Sequence, residues 1–287
     1  MIEPNGWSEV IAVTGLLREA RIASRLGATA IAHGGHEGAL RRGLAAAIGP
    51  HTRGLLSFGI AGSIHPDLRG GATVIADEVI GADMTRWETN NKWRAALRER
   101  VPDAIVGSVA AESCLRCSSK EKLFAQTGAL IVDQESVVTA QFAAERGLPF
   151  AVFRVILDDA DTALPPAAKA GLSATGRIDF FRLVSSLFTH PFQARGLVAL
   201  GRDSVIAFAV LERQSALLGP SLDHPDFLKS EYGQTVSVHS GRESSGDCNG
   251  IQEDGCDGQR DQDYPLRHAS EIYKHRRACL APDVPLK

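Results

Sequence analysis

Three carboxylates stand just past the ends of apolar runs in this chain: Glu19, Glu135 and Asp158. Gathered at one mouth, they suit cleavage of a glycosidic bond. One activates a nucleophile, one stabilises an oxocarbenium-like sugar, and one donates a proton to the leaving group. A blander reading competes. Acids at helix N-termini pair with the helix macrodipole, which alone accounts for Glu135 and Asp158. The residues leave both readings open.

Other candidates are weaker. Gly59-Ile60-Ala61-Gly62-Ser63 follows an apolar run and reads as a glycine turn whose backbone N–H groups could approach an anion or a sugar. It lacks the Lys-Ser/Thr of a phosphate-binding loop and the spacing of a dinucleotide fingerprint, so triphosphate chemistry is not supported. Cys114-Leu115-Arg116-Cys117 is a CxxC with no second pair at zinc spacing, and reads as structural or incidental. Cys248, Cys256, His239 and His268 fit no familiar zinc pattern, so no metal is expected. His33, His36 and His65 read as solvated loop histidines, and Arg41-Arg42 as a solvated helix face.

The elements that must position these groups centre on 129–161, a strand–helix–strand unit. Leu130, Ile131 and Val132 run into Asp133. Val137, Val138, Phe142 and Ala143 recur at helical spacing up to a Gly147-Leu148-Pro149 stop. A second apolar run over 151–157, interrupted by Arg154, ends at Asp158. In open α/β sheets the ligand sits outside the carboxyl ends of the strands, which puts Glu135 and Asp158 at one crevice. Before this unit, strands are expected over 10–14, 29–33, 54–58, 72–80 and 105–109, with helices over 16–26, 36–48 and 92–100. That alternation argues for an α/β fold, a three-layer α/β/α sandwich. The link between 54–58 and 72–80 is too short for a helical crossover, so this pair is expected to be antiparallel and the central sheet mixed. Two further helices are expected, over 179–190 and 192–217. Phe180, Phe181, Val184, Leu187 and Phe188 stripe the first as core or as a greasy entrance for a lipid-like substrate.

At 287 residues and 44% hydrophobic, the chain can build a sizeable core. A net charge of -3 gives no reason to expect nucleic acid as a partner. Five cysteines and an N-terminus without a charged n-region point to a cytoplasmic protein with reduced thiols. No apolar run reaches the roughly 18 residues of a spanning helix. The 229–287 segment is polar and rich in Gly, Ser and Asp, and is expected to be a disordered extension of a catalytic domain over 1–228.

Three stretches carry a family resemblance: VTGLLREARIA, SFGIAGSIHPDLRGGATVIADEV and VDQESVVTAQFAAERGLPFAVFRVILDDAD. Over roughly residues 8–220 the chain resembles the nucleoside phosphorylase / methylthioadenosine–adenosylhomocysteine nucleosidase superfamily. The last stretch is the most specific, since the family pairs a Met-Glu after one strand with an Arg-x-x-Ser-Asp at the end of the next. Within it, the runs AAES, EKLFAQTGALIVDQES and GLPFAVFRVILDDAD look most like the hopanoid-associated phosphorylase branch, which removes adenine from adenosylhopane.

The resemblance implies a purine-releasing enzyme. Asp158 would protonate the purine N7, Glu135 would bind the ribose hydroxyls and stabilise the anomeric charge, and Glu19 would orient or deprotonate an attacking water. Gly59, Ala61, Gly62 and Gln134 would line the sugar, and Cys114 and Leu115 the purine wall. Arg154 would order the strand rather than touch substrate. No cofactor is implied. Phosphate is the open co-substrate, with Arg18, Arg21 and Arg41 as candidates to hold it, and Glu19 favours water instead. The implied partner is a small-molecule purine nucleoside, lipid-linked in the hopanoid case and compatible with peripheral membrane contact; a homo-oligomer is also implied. A methylthioadenosine-type nucleosidase and a non-catalytic purine-nucleoside binder are the alternatives. Two departures from the family pattern stand out: Gln134 replaces a methionine, and Leu157 replaces the serine before Asp158.

Overall fold

Val10–Thr14 is a strand with every side chain buried, β1. A strand covered on both faces needs no polar alternation. Its residues divide by period two: Ile11 and Val13 join one apolar cluster, Val10 and Ala12 the other. The computed structural model describes residues 10–34, 36–113, 119–162 and 194–224. After β1 come α1 (Leu17–Arg25), β2 (Thr29–Ala32), α2 (Glu37–Ala47), β3 (Gly54–Ser63), β4 (Thr73–Ile80) and β5 (Arg86–Glu88). Then follow α3 (Asn91–Arg100), β6 (Ile105–Ala111), α4 (Lys120–Thr127), β7 (Ile131–Asp133), α5 (Ser136–Arg146), β8 (Phe150–Asp158) and α6 (Ala194–Ser215).

The strands form one mixed sheet. β1 is parallel to β2 and β3, β3 is parallel to β8, and β6 is parallel to both β4 and β7. β7 is antiparallel to β3, β8 to β4 and β5 to β4. The pairings β3–β8–β4–β6–β7–β3 therefore close a circuit, with β1, β2 and β5 extending from it.

Helices cover both faces, as the three-layer expectation requires. On one side α2 and α5 bury Leu40, Leu44, Val138 and Phe142. On the other, α1, α3 and α6 bury Ile22, Trp93, Leu97, Phe208 and Leu211. Burying a side chain such as Leu44 contributes about 1.5–3 kcal/mol, and cutting it to alanine costs about 2–5 kcal/mol. α5 stops where expected, because Gly147 takes a left-handed φ of 63° that ends the helix.

Three expectations need correction. The strands at 54–58 and 72–80 run opposed but do not pair, because β8 lies between them. Residues 59–63 are not a glycine turn. They continue β3, which pairs with β8 through Gly62 and with β7 at Gly62 and Ser63. β5 was not foreseen, since three residues show no period. The expected helix over 179–190 and the 229–287 extension lie outside the described residues.

Candidate active site

The exits of β7 and β8, the start of α1 and the end of β3 surround a cavity of about 1170 Å³. Glu19, Glu135 and Asp158 all line it, with Ala61, Gly62 and Gln134. The three carboxylates are thus brought to one place, from positions far apart in the chain.

Glu19 is the third residue of α1 and 1% exposed. Its Oε2 accepts N–H bonds from Gly15 (2.9 Å) and Leu16 (2.8 Å), and Oε1 accepts one from Ile60 (2.8 Å). The Leu16 bond is the reciprocal half of a capping box, so Glu19 also secures the helix start. Burial nonetheless holds its pKa above the ordinary value, against the pull of Arg154 and the three N–H donors. Gly59 does not line the cavity; it lies beneath Glu19. Its φ of +147° suits glycine, and a Cβ there would run into Glu19 Oε1. Gly15 touches both neighbours, since a Cβ on it would come within 2.7 Å of Glu135 Oε1.

Glu135 sits at the N-cap of α5 but makes no capping bond. Asp133 does that work: its Oδ1 accepts the Ser136 N–H at 2.9 Å and its Oδ2 the Ser136 hydroxyl at 2.5 Å. The macrodipole reading therefore fits Asp133 better than Glu135, which is free to face the cavity. Behind it lies Arg154, 0% exposed. Its Nη2 donates to Ser57 Oγ (2.6 Å) and Glu135 Oε2 (3.3 Å), and Nη1 to the Ile60 carbonyl (3.3 Å). Its Nε stands 2.8 Å from Asp133 Oδ2 as an ion pair without hydrogen-bond alignment. Ser57 Oγ lies 2.9 Å from Ser136 Oγ. With Arg154 donating into Ser57 and Ser136 donating to Asp133, the hydroxyl proton between them runs from Ser57 to Ser136. Burial pushes the Glu135 carboxyl up to about 8; Arg154 opposes this, while Asp133 and Glu19 add to it.

Asp158 ends β8 and is 3% exposed. The register between β3 and β8 shifts just before it, pairing Ala61 with Ile156 and Gly62 with Asp158. Leu157 is the extra residue, and such a bulge re-aims the side chain that follows. Lys120 Nζ donates to Asp158 Oδ2 at 2.5 Å. Burial raises the Asp158 pKa, and Lys120 partly counters it.

Sequence reasoning missed Lys120, Asp133 and Glu112. Gln134, whose polar amide needs a partner, donates to the Glu112 carboxylate. Ser119 before an apolar-periodic run signalled a helix start at 120, but nothing local tied Lys120 to a residue 38 positions on. Arg18, Arg21 and Arg41 do not line the cavity. Arg18 pairs with Glu212 at 3.4 Å, and Arg41 with Glu37 and Glu145. His65 is not a solvated loop residue. It is buried edge-on against Phe124, ring centroids 4.8 Å apart, and burial lowers its pKa. Cys114 and Leu115 lie outside the described residues. Among the described residues no cluster of His, Cys, Asp and Glu could hold a metal ion, and no helix is long and apolar enough to cross a membrane.

The model of one family, the phosphorylase superfamily, matches residues 10–187. No curated protein matches the chain. Among solved structures, it is similar to the 5'-methylthioadenosine/S-adenosyl homocysteine nucleosidase of Helicobacter pylori, at 16% identity over 73% of this chain and 98% of that one, TM-score 0.47. The corresponding Neisseria meningitidis nucleosidase aligns at 14% identity over 73% and 97%, TM-score 0.48. Futalosine hydrolase of Helicobacter pylori aligns at 15% over 73% and 97%, TM-score 0.46. At these values the likeness carries no argument about substrate.

Proposed function

The chain belongs to the phosphorylase superfamily as an enzyme of the nucleoside hydrolase or phosphorylase kind, and on that premise we propose that it cleaves the N-glycosidic bond of a purine nucleoside. The observation that carries this reading is the meeting of Glu19, Glu135 and Asp158 on one cavity. Burial favours the protonated form of each. A carboxyl whose pKa is raised by burial is better suited to serve as an acid. Asp158 gives its proton to the purine N7, so that the base leaves neutral. Glu135, with Arg154 behind it, binds the ribose hydroxyls and faces the anomeric carbon as positive charge builds there. Glu19 orients the attacking water.

Water is the nucleophile in this reading. Phosphate needs uncommitted cations, and among the described residues the cavity's cations are paired: Arg69 with Asp159 at 3.2 Å, Lys120 with Asp158. The substrate is adenosylhopane or a nucleoside with a comparable apolar extension. Its support is the size of the cavity, beyond the roughly 300–1,000 Å³ of ordinary ligand pockets, and a wall of Ile64, Pro66, Phe124 and Leu157. A homo-oligomer belongs to the same reading, and light scattering checks it.

The deciding experiment is adenine release from adenosylhopane and from methylthioadenosine, each with and without phosphate. Release from the hopanoid alone, independent of phosphate and lost in Asp158→Asn, is expected. Preference for methylthioadenosine would overturn the substrate, phosphate dependence the nucleophile, and no release from either the reaction.

A further inference from the structure

Lys120 occupies a place that helix energetics do not explain. Ser119 caps α4 by accepting the Lys122 N–H at 3.3 Å, which makes Lys120 the first helical residue. A cation there faces the unfavourable end of the macrodipole. Its side chain is also only 16% exposed. A buried ammonium persists only where its charge and donors are matched. Its charge and two of its three donors are: Nζ donates to Asp158 Oδ2 at 2.5 Å and to the Asp159 carbonyl at 2.9 Å.

Among the described residues, three charged groups act on Asp158. Lys120 reaches it from α4, Asp159 adjoins it, and Asp203 acts on it from α6. Asp159 is itself taken, by Arg69 at 3.2 Å and by the Gly70 N–H at 2.8 Å. Among the described residues, Lys120 is thus the cation that answers Asp158. Residue 157, a leucine, offers no hydroxyl to hold the carboxyl. The other oxygen, Oδ1, lies over Gly62, where a Cβ would stand 3.2 Å away.

We propose that Lys120 is the positioning residue of Asp158: it anchors Oδ2, leaves Oδ1 free toward the base, and stays beside the carboxylate once the proton has gone. The proposal rests on the reading of Asp158 as the acid. In that step the Asp158 O–H bond breaks and an N7–H bond forms on the purine. The glycosidic bond breaks with its electron pair leaving on the base, the oxygen of the attacking water bonds the anomeric carbon as that water gives up a proton to solvent, and the new carboxylate remains paired with the Lys120 ammonium.

The test compares Lys120→Met and Lys120→Arg with wild type, over the pH profile of kcat/KM for adenine release and by NMR titration of the Asp158 carboxyl carbon. Lys120→Met should lower kcat/KM on the order of a hundredfold. Its alkaline limb and the Asp158 titration should both move up by about one to three pH units, since the Lys120 ammonium then no longer favours the carboxylate. Lys120→Arg should restore most of the rate and keep the limb near wild type. A Lys120→Met enzyme with wild-type kcat/KM, or an Asp158 that titrates unchanged in it, overturns the role. Wild type that releases no adenine while the NMR titration still moves overturns the proposed reaction, not the hold of Lys120 on Asp158.

Discussion

The exits of β7 and β8 deliver a carboxylate each to the same cavity, held by opposite means. At the β7 exit, Glu135 is backed by Arg154, Asp133, Ser57 and Ser136, and each of these buried groups is tied to another. At the β8 exit, Asp158 is held by one ammonium on a long side chain from α4. A closed polar network fixes a group in place; a single flexible partner lets charge change with little rearrangement. On the proposed reaction this division fits the two tasks. The group facing the sugar must not move, and the group that passes a proton must change charge every turnover.

The contrast can be broken in several places. The largest effect should come from Asp158→Asn, which removes the proton: adenine release should fall by about 10²–10⁴, with the unfolding midpoint moved far less than by changes at the β7 exit. Equal losses at both exits would erase the distinction. Arg154→Met leaves Asp133 and Glu135 buried without their cation, and should cost about 3–5 kcal/mol in urea unfolding.

A pH series sharpens the same point. Burial lifts Glu135 from its ordinary 4.5 to about 8. A carboxyl whose pKa is higher folded than unfolded keeps its proton in the folded state. Its contribution is complete below 4.5 and is lost as the pH rises through about 8. The urea midpoint should therefore fall between about pH 5 and about pH 8, and Glu135→Gln should flatten that fall. Next comes Gly59→Ala, which forces a Cβ against Glu19 at a φ of +147°. It should cost about 1–3 kcal/mol and displace the carboxylate, seen as lost activity beyond the lost stability. The smallest effect belongs to Gln134→Met. Gln134 is exposed, so stability should change by less than about 0.5 kcal/mol, with any effect confined to KM.

Much of this molecule was legible before its structure. The apolar run of β1 and the helical spacing in α5 are local patterns, and the stop at Gly147 is local chemistry. What escaped depended on who stands beside whom. Gly59 and Gly62 look like turn residues, yet they lie inside a strand, where the missing Cβ leaves room for Glu19 and Asp158. Asp133 and Glu135 are two residues apart; aspartate is the better capping side chain, and the chain's path at the start of α5 lets Asp133 cap while Glu135 takes the N-cap position itself. Lys120 reads as an ordinary surface lysine until α4 is set against the end of β8.

By itself, the amino-acid order determined the alternation of strands and helices and the carboxylates at their ends. Both follow from period, propensity and stop signals acting over a few residues. The closed circuit of strands, the insertion of β8 between β3 and β4, and the pairing of Lys120 with Asp158 were decided by the tertiary structure. They join residues distant along the chain, and their energies exist only once burial strips water from both partners at once.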